Sequence, residues 1–109
     1  MTDKCIVLVS APDKEIAKKI AEVLIIEKLA ACVSIIPEVF SIYEWGNKIE
    51  KGDEVLMIIK TRVDVFEKLS KRITSFHPYQ VPEMLSIPIE RGYYKYLQWM
   101  DDVLGTRSE

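Results

Sequence analysis

The chain is poor in the residues around which reactive centres are usually assembled. Its 109 residues include one histidine, two cysteines and four glycines. A single imidazole leaves no second histidine for a relay, and no GxGxxG, P-loop, HExxH or GxSxG pattern is present. A base and a lysine without a nucleophile or fixed metal specify no reaction class, so an enzyme is not expected. The two cysteines, Cys5 and Cys32, lie in apolar segments without CxxC spacing and read as small buried thiols. No apolar run approaches the ~20 residues needed to span a bilayer. The apolar start, Cys5 to Val9, is too short for a signal-peptide core and is followed directly by helix-start residues, so a cytoplasmic location is expected. Charge is also lacking: the net value is −2 and the pI about 5.5. Neither nucleic acid nor an acidic membrane is therefore an expected partner. Glu54 to Ile59 also has none of the Gly/aromatic run of an RNA-recognition strand.

What is present is a globular composition, 49% apolar and 29% charged, in a length that makes a single domain over residues 1–109. The stretch from Ala30 to Thr61 reads as two long strands folded back at Trp45-Gly46-Asn47-Lys48. Cys32 to Trp45 alternates loosely, with Val33, Ile35, Val39, Tyr43 and Trp45 on one face and Ile36, Phe40 and Ile42 on the other. The return strand passes through Val55 to Ile59, apolar on both faces as a central strand would be. Each strand is about twice the usual 5–6 residues. So long a hairpin needs a partner for its free edge, and the chain is expected to oligomerise.

Around the hairpin, Lys4 to Ser10 reads as a first strand. Ser10-Ala11-Pro12-Asp13 then opens a helix over about Asp13 to Leu29, with its apolar stripe at Ile16, Ile20, Val23 and Leu24. Thr61-Arg62-Val63-Asp64 resembles a capping box ahead of a second helix. Phe76 to Glu83 is a loop held extended by Pro78 and Pro82. Met84 to Glu90 is a last strand, and Tyr93 to Leu104 a last helix stopped by Gly105. The order βαββαβ plus a helix gives an α+β, ferredoxin-like sandwich with helices on one face of a mixed sheet. Pro37 and Pro88 assign their strands to the sheet edges.

Candidate functional residues are few. His77, in the proline-locked loop with Tyr79 and Glu83, reads either as a metal ligand or general acid/base, or as a loop staple bonded to a backbone carbonyl. Cys32 reads as a soft-metal ligand, copper above all, or as a core thiol. Lys60, ahead of Thr61 at an expected helix start, suits a small anion or simply snorkels. Tyr43 and Trp45 near the hairpin tip favour an interface.

Five segments in order resemble the CutA divalent-ion tolerance family. They are Leu29-Ala30-Ala31-Cys32-Val33, Ser41-Ile42-Tyr43-Glu44-Trp45, Ile59-Lys60-Thr61, His77-Pro78-Tyr79-Gln80-Val81-Pro82-Glu83 and Tyr96-Leu97-Gln98-Trp99. The resemblance implies a cytoplasmic homotrimer similar in architecture to the PII signalling proteins, with ligands in clefts between subunits. It also implies a part in divalent-cation, especially copper, tolerance. On that basis His77 and Cys32 are the expected metal residues, and Lys60, Tyr79 and Glu83 the expected residues for a small, anionic ligand. Some bacterial members are thought to bind copper through a cysteine late in the first strand and two adjacent histidines before Pro-Tyr. Here Val9 stands at the cysteine position and Phe76 at the first histidine, and His77 alone matches. A copper site would then draw ligands from Cys32, Glu83 or another subunit.

Overall fold

The computed structural model describes residues 1–106. Its elements are β1 (Lys4–Ala11), α1 (Lys14–Ile26), β2 (Cys32–Trp45), β3 (Lys48–Arg62), a 3-10 turn (Val63–Val65), α2 (Phe66–Thr74), β4 (Met84–Pro88) and α3 (Tyr94–Leu104). This is the expected ferredoxin-like α+β sandwich with one added helix. The strand order is β2-β3-β1-β4, so the two proline-bearing strands do form the edges. Every neighbouring pair is antiparallel. The sheet is thus not mixed: each helical crossover skips one position, and the strand that fills the gap runs the other way.

One face of the sheet carries the core. Val7, Val9, Met57 and Ile59 pack with Ile20 and Leu24 of α1 and Leu69 and Ile73 of α2, all fully buried. Asp13 caps α1 by accepting the Ile16 N–H at 2.9 Å. That helix stops at Ile26, short of the expected Leu29, because the chain turns through Lys28 at φ 61°. The expected capping box at Thr61 does not form. Pairing with β1 keeps Thr61 and Arg62 in β3, and the Thr61 hydroxyl donates to the Leu29 carbonyl at 2.8 Å instead.

The hairpin turns at Gly46 and Asn47, both at positive φ (58° and 64°), the type I′ geometry whose twist suits a two-residue hairpin. Register runs from Cys32↔Lys60 to Ile36↔Leu56 and resumes at Val39↔Glu54, so Pro37 and Glu38 together face Val55. This bulge changes the side-chain parity. Val33 and Ile35 lie on the helix side, whereas Val39, Tyr43 and Trp45 share the opposite face with Ile36. The expected grouping of all five fails at Pro37, where one extra residue reverses the alternation.

The opposite face holds Ile6 and Leu8 of β1, Ile36 of β2, Leu56 and Ile58 of β3, and Leu85 and Ile87 of β4. α3 covers one end of it, burying Met100 and Leu104 against Ala31. Asp101 anchors that helix, accepting from Lys4 Nζ at 3.1 Å and Arg62 Nη1 at 3.2 Å.

Candidate functional site: a cleft beside the His77 loop

The loop after α2 begins by extending the helix, with the His77 N–H bonded to the Ile73 carbonyl at 2.9 Å. This turns the imidazole inward, where it is 7% exposed. Its Nε2 lies 2.8 Å from the Ser10 carbonyl oxygen, and its Nδ1 lies 3.1 Å from the Tyr79 backbone N. A carbonyl can only accept and an amide N–H can only donate, so Nε2 carries the hydrogen and Nδ1 accepts. Both ring nitrogens are committed to pinning the loop to the end of β1. The staple geometry is the one the structure has.

Tyr79 is placed by that pin, its ring 4.8 Å from the imidazole centroid. Its hydroxyl donates to Glu54 Oε2 at 2.5 Å. Burial and then the Glu54 carboxylate push the Tyr79 phenol well above the usual tyrosine range. Beside this pair opens a cleft of about 660 Å³, lined among others by Ser10, Tyr43, Trp45, Glu54, Tyr79 and Glu83. The bulge makes the cleft possible, since it turns Tyr43 and Trp45 to the side on which Glu54 points.

Lys60 and Cys32 lie elsewhere. They face each other across the hairpin, with Lys60 Nζ 3.7 Å from Cys32 Sγ and donating to Ser34 Oγ at 2.5 Å. Tyr96 of α3 packs beside them, its phenol raised by burial and then by Cys32. Lys60 lies six residue steps along β3 from Glu54, about 20 Å at ~3.3 Å per residue. Within one chain the expected site is therefore divided: Tyr79 and Glu83 share the cleft with His77 behind them, while Lys60 and Cys32 form a separate group. Among the described residues, no group of three or more His, Cys, Asp or Glu side chains is poised to hold a metal ion.

Sequence reasoning missed Glu54 and Ser10. Glu54 is one carboxylate in a charged strand end, and only the β1–β3 register, with Val55 opposite Ala11, sets it beside the loop that His77 pins to Ser10. Ser10 contributes a backbone carbonyl, which no residue type announces.

The family model described as "CutA1 divalent ion tolerance protein" matches residues 5–103. The human Protein CutA is 44% identical over 101 residues, 93% of this chain and 56% of its own length. The divalent-cation tolerance protein CutA of Thermus thermophilus is 41% identical over 92% of this chain and 97% of its own. The chain thus spans nearly all of that bacterial relative but about half the length of the human one. The solved structure of the Thermus thermophilus protein superposes with a TM-score of 0.90, covering 94% of this chain and 99% of that one. The family description and the Thermus thermophilus names describe tolerance to divalent cations, and none of the names mentions a reaction.

The cytoplasmic location expected from the sequence does not stand. A similar structure, at TM-score 0.91 and 37% identity, is described as the periplasmic divalent cation tolerance protein CutA from Archaeoglobus fulgidus. An Arabidopsis thaliana relative, 44% identical over 87% of this chain and 52% of its own length, is described as chloroplastic. The fold is therefore compatible with several compartments, and the short apolar start of this chain assigns none. No helix among the described residues is long and apolar enough to cross a membrane. With the family model matching residues 5–103, the chain belongs to the CutA1 divalent ion tolerance family.

Proposed function

We propose that the chain assembles as a homotrimer of PII-like architecture, and that it serves divalent-cation tolerance through a small-ligand cleft at the His77 loop, completed by a neighbouring subunit. The observation that carries this is the uncovered sheet face. Leu85 is 56% exposed, Ile87 47% and Ile36 40%, with Ile6, Leu8, Leu56 and Ile58 half-buried beside them. Contiguous apolar surface of this kind marks an interaction site more often than a free surface. The hairpin adds a second reason. β1 pairs with β3 only from Arg62 back to Val55, so residues 48–54 of β3 have an open edge on that side. An open edge of that length is a template for another strand.

A copper site at His77 and Cys32 is the weaker reading. His77 would have to surrender its bond to Ser10 or to Tyr79, and Cys32 stands beside Lys60 at the other end of the hairpin pairing. The proposal therefore gives the metal-tolerance role to the assembly and its cleft, with His77 as the residue that positions the loop. Calorimetric titration of Cu(II) and Zn(II) into the full chain and into His77→Ala is the test. The expected result is no stoichiometric site that depends on His77. A site of one metal per chain that disappears in the variant would overturn the assignment.

A further inference from the structure

We infer that the cleft beside the His77 loop takes an organic cation, an alkylammonium group, rather than an anion or a bare metal ion. This rests on the cleft being the ligand site. Its charged lining residues are Glu54 and Glu83, and among the described residues no lysine, arginine or histidine lines it. Tyr43, Trp45 and Tyr79 also line it. Aromatic faces carry negative potential and attract cations, quaternary and alkylated ammonium groups above all. Carboxylates at the mouth of a concave site add to that potential. Two lysines stand in register with lining residues, Lys48 opposite Trp45 and Lys51 opposite Ile42; both are exposed and neither is part of the lining.

The hydrogen bonding agrees with this polarity. Tyr79 donates its hydroxyl to Glu54 Oε2, which fixes the carboxylate while leaving Oε1 for a ligand N–H or a polarised methyl group. An anion entering the cleft would meet two carboxylates and, among the described residues of the chain that forms it, no compensating cation. A hard divalent ion would need about six to eight oxygen ligands, and the described residues hold no group of three or more metal-ligating side chains. The volume, about 660 Å³, also suits a small organic molecule better than a lone ion.

The test uses the full chain, with its assembled mass recorded, and four experiments. Tetramethylammonium chloride, its neutral isostere tert-butanol, and inorganic phosphate are each titrated by calorimetry and by NMR of the Trp45 indole N–H. The fourth repeats the tetramethylammonium titration on Glu54→Gln, which keeps an acceptor for Tyr79 but removes the charge; its melting temperature confirms folding. The expected result is saturable tetramethylammonium binding that shifts the Trp45 signal and weakens about tenfold in Glu54→Gln, as loss of a charge-assisted contact implies. Phosphate and tert-butanol should leave the signal unmoved. If tert-butanol binds as well as tetramethylammonium, or phosphate binds instead, the cation inference fails while the cleft survives as a ligand site. If none of the three binds, the inference fails and the cleft reading falls with it.

Discussion

The His77 imidazole and the Ser10 carbonyl stand 67 residues apart in sequence and 2.8 Å apart in space. With the Tyr79 N–H on the other ring nitrogen, this contact ties the loop after α2 to the end of β1. Replacing His77 by alanine removes both partners and leaves a buried carbonyl and an amide unpaired. The expected cost is about 2 kcal/mol. At matched protein concentration the thermal midpoint should fall by roughly 10 °C. An unchanged midpoint would mean that the imidazole is not a structural pin.

Asp101 holds two buried cations at once, Lys4 at 5% and Arg62 at 2% exposed. Burial alone would lower the Lys4 pKa, but its hydrogen bonds to Asp3 and Asp101 outweigh that and carry it upward. Each cation keeps a second carboxylate, Asp3 for Lys4 and Asp64 for Arg62. Asp101→Ala should therefore cost about 3 kcal/mol, the lower end for breaking a buried pair. Urea unfolding measures the loss. Trp99 on α3 should also report loosening of that helix before the sheet unfolds.

The Tyr79 phenol, raised by burial and by Glu54, makes stability depend on alkaline pH. Unfolded, Tyr79 ionises near pH 10, whereas folded it holds its proton to higher pH. The folded state thus binds more protons above pH 10, and stability falls as pH rises from there. Tyr79→Phe should be about 1 kcal/mol less stable than wild type at pH 8. That gap should narrow between pH 10 and 12. Lys4 and Tyr96, whose pKa values are also raised, are common to both proteins and cancel in the difference. A gap that stays constant with pH would remove Tyr79 as the linked group.

The fold was legible because its signals are local. Pro37 and Pro88 cannot donate to a ladder and so marked the edges, and Gly46-Asn47 announced its own turn. The site was only half legible. His77, Tyr79 and Glu83 share one rigid loop and could be read together, whereas Glu54 meets Tyr79 only because the β1–β3 register sets Val55 against Ala11, next to the Ser10 carbonyl that holds the loop. The extra residue at Pro37–Glu38 took Val39, Tyr43 and Trp45 to the face opposite Val33 and Ile35. Lys60 and Cys32 group with His77 in the sequence only because all three are chemically suggestive residue types. Yet strand geometry puts them about 20 Å from Glu54.

In the proposed trimer the open sheet face is the interface between copies of this chain. Native mass spectrometry of the wild type and of Ile58→Glu, which places a carboxylate in the middle of that face, tests it most directly. The expected result is a mass of three chains for the wild type, and a single-chain or unstable species for Ile58→Glu, since an unpaired charge cannot be buried without a large penalty. A monomeric wild type at micromolar concentration, or a variant that assembles as the wild type does, would contradict it.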